Sequence, residues 1–294
     1  MLKPKGILPA MITPLTKEGK FNDKVLEKLI NYMISGGVHG IFAMGTTAEF
    51  YAVNHDIYRE ILSAAKEYTN GRVPVYAGAN SITTKGAMEL VEIASDVGVD
   101  AISVLTPMFI SPNDEELFEH YRVIAESTDK PILLYNNTPK TGVNLAPGLV
   151  ERLADIPNIV GIKDSKGDFT QISSYIQKTE DKEFNVLVGR DTLIYANLCQ
   201  GGAGAVAACA NVAPRLCADI YDHYQKGNRN KALECQNRLN PLRLAFGMGT
   251  FPAVIKEALT MLGIDAGPCF LPILPLHDDQ KASLRKILEG MELL

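Results

Sequence analysis

The pattern that most restricts this chain is a series of short runs that are apolar at successive positions, not alternate ones. Residues 7–12, 40–44, 73–77, 101–105, 132–135, 159–163, 186–188 and 205–208 are rich in Val, Ile and Ala. A strand with one wet face alternates, whereas a strand covered on both faces, as in a parallel sheet, does not. Helical patterns separate the runs, over residues 23–35, 54–68, 85–97, 114–127, 147–154, 169–179 and 192–199. Gly36-Gly37 ends the first of these, and Asn54 with Asp56 supplies capping oxygens for the second. Eight strand-plus-helix units are expected to close as a (β/α)8 barrel, a TIM barrel. Residues 212–294 add helices without convincing strands, so the expected division is a barrel over 1–224 and a C-terminal helical extension over 225–294. An open doubly wound sheet competes, but no Gly-x-Gly-x-x-Gly turn follows the first run.

Composition narrows the partners. The 294 residues carry a net charge of −5 and no run of five like charges, so no nucleic-acid surface is expected. Cys199, Cys209, Cys217, Cys235 and Cys269 form an odd set without Cys-x-x-Cys spacing, which argues against a disulfide framework or a structural metal site. No apolar run is long enough to span a bilayer, and no long apolar stretch precedes Pro9. The expected setting is soluble, reducing and cytoplasmic, with no membrane partner.

Catalytic groups on a barrel gather where strands end. Gly45-Thr46-Thr47-Ala48-Glu49 follows the second run, Tyr135 closes the fifth, Lys163 the sixth and Gly189 the seventh. A lysine in a low-dielectric mouth has its ammonium form penalised, which frees a nucleophilic amine able to form an iminium with a ketone. Taken from one strand alone, Lys163 reads equally well as a side chain snorkelling from the sheet edge. Tyr135 reads as a phenol near the same mouth or as a core tyrosine. Thr46 and Thr47 read as hydroxyls and amides for a carboxylate or as turn residues.

Taken together these motifs carry a resemblance. Gly45-Thr46-Thr47-Ala48-Glu49, Tyr135-Asn136 with Lys140-Thr141-Gly142, and Gly161-Ile162-Lys163-Asp164 resemble the dihydrodipicolinate synthase and N-acetylneuraminate lyase family of Schiff-base aldolases. The likeness runs from Gly6-Ile7-Leu8-Pro9-Ala10 to Ala210-Asn211-Val212-Ala213. It implies a (β/α)8 barrel with a helical extension, assembled as a homotetramer and working without metal or organic cofactor. It implies that Lys163 forms the Schiff base with pyruvate or a related 2-oxo acid and that Tyr135 shuttles protons. Thr46 and Thr47 fall on the pair that binds the pyruvate carboxylate and joins Tyr135 in a relay, with Thr47 counted among the catalytic groups. Gly189 and Val206 fall on positions lining the pyruvate pocket, and Lys140 on the entrance position that holds the second substrate.

The chain departs from the pattern at several places. Ala48 stands for the family's glycine. Met108-Phe109 replaces a Tyr-Tyr pair whose second hydroxyl, in the synthases, reaches a neighbouring subunit's site; Phe109 keeps the ring but passes no proton. Lys140 replaces an arginine, keeping charge but losing the bidentate fork. Gly86 stands at the acidic position of the family's lysine-binding regulatory site, while His55 matches another member. These changes favour an aldolase acting on 2-keto-3-deoxy sugar acids, joining pyruvate to an aldehyde, with Tyr51 a candidate hydroxyl for the second substrate or a packing residue under the rim. The alternatives are a dihydrodipicolinate synthase condensing pyruvate with aspartate semialdehyde, a lyase of the N-acetylneuraminate type, a dehydratase, and a non-enzymatic sugar-acid binder.

Overall fold

A computed structural model describes residues 1–294. Its strands are β1 (Gly6–Pro9), β2 (Ile41–Ala43), β3 (Val75–Gly78), β4 (Ala101–Leu105), β5 (Ile132–Asn136), β6 (Ile159–Asp164), β7 (Asn185–Val188) and β8 (Gly204–Ala207). All eight belong to one parallel sheet, ordered β1-β8-β7-β6-β5-β4-β3-β2. The seam between β1 and β2 is closed by a bridge from Ala10 to Phe42, where the Met11 amide donates to the Phe42 carbonyl at 2.9 Å. The (β/α)8 barrel is therefore the fold. Its strand residues are buried almost without exception, which is why their apolar runs show no alternation.

Helices α1 (Asp23–Ser35), α2 (His55–Thr69), α3 (Thr84–Val97), α4 (Asp114–Glu126), α5 (Thr138–Thr141), α6 (Pro147–Leu153), α7 (Phe169–Lys178), α8 (Ile194–Cys199) and α9 (Pro214–Gln225) follow the strands. The Asn54 side chain accepts from the Ile57 amide at 2.9 Å, so the cap expected from sequence forms. Asn113 and Glu116 make a reciprocal capping box at the start of α4. β1 is shorter than the apolar run because the Ile12 amide leaves the ladder and donates to the Asn211 side chain at 3.0 Å. β6 is longer than expected by one residue, so Lys163 is its penultimate residue. The single turn α5, with Pro139 in its first turn, was not signalled by any apolar period.

The extension consists of α10 (Arg229–Ala245), α11 (Ala253–Met261) and α12 (Asp278–Gly290). Leu239, Leu242, Ile255, Leu259, Leu284 and Leu288 join the same apolar core as the barrel helices. Gln236 of α10 ties the extension to the turn after β7: it accepts from the Tyr195 amide and donates to the Asp191 carbonyl, both at 2.9 Å. No helix is long and apolar enough to cross a membrane.

Candidate active site

Adjacent parallel strands put two reactive groups side by side. The register of β5 and β6 pairs Tyr135 with Lys163. The Lys163 amine stands 4.0 Å from the centre of the Tyr135 ring and 4.5 Å from that of Phe42. Lys163 is only 3% exposed. Burial pushes its pKa below the ordinary 10.5, against the opposing pull of Tyr135 and Asp191. The amine is thus available uncharged at a pH where a surface lysine stays protonated.

Tyr135 shifts the same way for a different reason. Burial would raise its pKa, but the nearby Lys163 charge and hydrogen bonds from Thr46, Ser165 and Asn137 outweigh it, bringing the phenol below 10.0. The Thr46 hydroxyl lies 3.2 Å from the phenol oxygen, and the Asn137 side-chain amide donates to it at 3.0 Å. A phenol and an amine so placed can exchange a proton with each other or with an adduct between them.

Thr46 and Thr47 lie on a 3-10 turn, Thr46–Ala48, directly after β2. The turn is fixed by Glu49, which is fully buried and left-handed at φ 56. One Glu49 carboxylate oxygen pairs with the Lys256 ammonium at 2.7 Å and the other accepts from the Phe270 amide at 2.7 Å. Lys256 also donates to the Pro268 carbonyl at 2.8 Å, so α11 and the chain beyond it clamp the loop. Of the two threonines expected to join Tyr135 in a relay, Thr46 makes the contact with the phenol. Thr47 lines the cavity and is buried, and its hydroxyl makes no hydrogen bond to the phenol. The tight turn sends consecutive side chains in different directions.

A cavity of about 250 Å³ gathers Lys163, Tyr135, Thr46, Thr47, Lys140, Gly189 and Val206, the residues that the resemblance assigns to the site. Lys140 is exposed at its edge, on α5. A Cβ at Gly189 would stand 2.0 Å from the Ser165 hydroxyl, so glycine here lets that hydroxyl keep its place beside Tyr135. Sequence reasoning missed Asn137, Ser165, Arg190, Asp191 and Arg243, which also line the cavity. Arg190 directly follows the strand-end Gly189, so the strand-end rule pointed to it; Arg243 comes from α10 and carried no such signal.

Other expectations fall elsewhere. Tyr51 does not reach this cavity; it is half exposed and lines a second one of about 400 Å³ with His55, Gly86 and Glu89, because its turn faces away from the barrel axis. Phe109 is 93% exposed at φ 73 and touches neither the Lys163 cavity nor the core.

Known proteins resemble the chain throughout. A family model described as the dihydrodipicolinate synthetase family matches residues 3–291. A protein of Methanothrix thermoacetophila named 4-hydroxy-tetrahydrodipicolinate synthase is 40% identical over 287 residues, covering 98% of this chain and 97% of the relative. The crystal structure of dihydrodipicolinate synthase from Thermotoga maritima superposes with a TM-score of 0.96 at 33% identity, over 99% of each chain. YagE of E. coli K12, a prophage protein of the dihydrodipicolinic acid synthase family solved in complex with pyruvate, gives a TM-score of 0.96 at 30% identity over 99% of each chain.

Proposed function

The chain belongs to the dihydrodipicolinate synthetase family of pyruvate-dependent Schiff-base lyases, and from that premise we propose that it condenses pyruvate with aspartate semialdehyde, as a 4-hydroxy-tetrahydrodipicolinate synthase. The observation that carries the reading is the buried Lys163 amine, 4.0 Å from the Tyr135 ring in a cavity floored by Thr46 and Thr47. Lys163 attacks the pyruvate ketone, and loss of water leaves an iminium. Tyr135, as phenolate, takes a proton from the pyruvate methyl to give the enamine, whose carbon attacks the aldehyde. The aldehyde oxygen takes a proton back from Tyr135. The amine of the bound semialdehyde then displaces Lys163 by attacking the iminium carbon, which closes the ring and frees the enzyme. Thr47 holds the pyruvate carboxylate, Thr46 orients the phenol, and Gly189 and Val206 shape the pyruvate end. Lys140 supplies charge at the entrance. Lysine itself is the electron sink, so no metal or organic cofactor enters the mechanism.

This order reverses the preference drawn from sequence. Full-length relatives at 34–40% identity that bear the synthase name support the synthase reading. A second reading, aldol cleavage of a 2-keto-3-deoxy sugar acid, keeps support from Phe109 and Lys140, which lack the family's hydroxyl and guanidinium fork. In either case residues 1–224 form the catalytic barrel, residues 225–294 its extension, and the protein works in the cytoplasm as a homotetramer.

Borohydride reduction in the presence of pyruvate, followed by peptide mass measurement, tests the chemistry. An adduct on Lys163 is expected, and none at saturating pyruvate overturns it. Turnover of aspartate semialdehyde against a panel of sugar acids then separates the two readings.

A further inference from the structure

Arg190, on the turn after β7, and Arg243, in the last turn of α10, both line the cavity that holds Lys163. Their surroundings differ. Arg243 stands 3.3 Å from a carboxylate oxygen of the fully buried Asp191, and its guanidinium lies 5.4 Å from the Phe246 ring centre. Arg190 has no carboxylate partner. Its Nε donates to the Ser165 carbonyl at 3.0 Å, and its two terminal nitrogens make no hydrogen bond within the protein.

The Arg190 stem is nevertheless held. It rests against Gly167, where an added Cβ would stand 3.2 Å from Nε and 3.3 Å from Cγ, and where φ is +86. Anchored at Nε and packed along its stem, the guanidinium has lost much of the freedom that a bound anion would otherwise have to remove. Burial and the neighbouring Arg243 charge push its pKa below the ordinary 12.5, with Asp164, Asp191 and Tyr135 pulling the other way, and no carboxylate contacts the half-buried guanidinium directly. Lys140, at the same cavity's edge, is exposed and offers a point charge without a fork.

We infer that Arg190 selects the second substrate by holding a carboxylate on the incoming aldehyde with its free guanidinium fork. The inference rests on the reading of Lys163 as the pyruvate-binding amine and deepens it. A carboxylated aldehyde gains a bidentate, charge-assisted contact in a partly desolvated mouth, and a neutral one such as glyceraldehyde gains nothing there. Arg243, already committed to Asp191, keeps the turn that carries Arg190 in place.

The test uses the full chain as wild type, Arg190→Gln, Arg190→Lys and Lys140→Gln. It compares KM for aspartate semialdehyde, glyceraldehyde and pyruvate, together with the yield of borohydride-trapped pyruvate. Arg190→Gln is expected to raise KM for aspartate semialdehyde about 10- to 100-fold, the loss typical of a charged hydrogen-bonding group. The trapped pyruvate adduct persists, KM for glyceraldehyde does not rise, and Arg190→Lys recovers only part of the loss. Lys140→Gln has the smaller effect. The inference is overturned if Lys140→Gln does more harm than Arg190→Gln, if pyruvate KM rises in parallel, if the adduct is lost in Arg190→Gln, or if no KM moves. A wild type that traps pyruvate but turns over only glyceraldehyde, or neither aldehyde, overturns this inference and leaves the Schiff base standing. A wild type that traps no pyruvate overturns both.

Discussion

Lys163 and Tyr135 sit on neighbouring strands, each no more than 3% exposed, with Thr46 held against them by a clamped turn. Lys140 and Phe109 sit exposed, one on the single helical turn after β5 and the other on the loop after β4. The floor is fixed by sheet register and burial, so a change there disturbs packing and pKa together. The rim is fixed by little besides its own turns, so its chemistry can be replaced while the floor stays as it is. That asymmetry explains how one chain keeps Lys163, Tyr135 and the paired threonines of its family's motifs yet departs from the pattern at Lys140 and Phe109.

Four tests probe the contrast. Lys163→Ala removes the nucleophile: the trapped adduct disappears and turnover falls by about 10⁴-fold or more. Residual turnover within about tenfold of wild type, measured under saturating substrates, would mean the floor is not the seat of the chemistry. Tyr135→Phe lowers turnover about 10²- to 10⁴-fold, as loss of a proton carrier does. It also moves a pH profile. Trapping needs the neutral amine, so its rate rises with pH through the folded-state pKa of Lys163, which lies below 10.5. Tyr135 is the main influence holding that pKa up, so its removal shifts the inflection to lower pH; a shift upward would contradict the pairing.

The clamp comes third. Lys256→Met leaves Glu49 buried without its cation, a loss of about 3–5 kcal/mol. The melting temperature should drop by at least about 6 °C. Adding Glu49→Gln should recover part of that loss, and no recovery would show that the two side chains act independently. The smallest effect belongs to the rim. Phe109→Tyr with Lys140→Arg should raise aspartate semialdehyde turnover less than about tenfold, the scale of one modest hydrogen bond or charge contact. A gain of several hundredfold would show that the rim limits synthase activity and would favour the sugar-acid reading.

The fold was legible because its causes are local. Doubly buried strands write themselves as unbroken apolar runs, and Asn54 announces its helix by capping chemistry. The floor was legible for a related reason, since strand ends are positions along the chain. The groups that escaped notice depend on closure. Ser165 meets the Tyr135 phenol only because β5 and β6 lie side by side, and Asn137 donates to it only because the chain turns back two residues after Tyr135. Arg243 reaches the mouth from α10, whose interrupting Pro241 and broadly spread polar residues give no sign of a functional face. Which of two adjacent threonines meets the phenol was likewise decided by the 3-10 turn, a geometry that residue type does not encode.

The Glu49 clamp also has a meaning in time. Its partners Lys256 and Phe270 come late in the order of synthesis, Phe270 lying 221 residues beyond Glu49, whereas the loop they secure belongs to the second strand-and-helix unit. Synthesis runs from the amino end, so all eight strands exist before the Thr46–Ala48 turn has anything to lock against. A nascent or truncated chain can therefore hold Lys163 and Tyr135 without the clamped turn beside them. Only once α11 and Phe270 have followed is that wall of the cavity held.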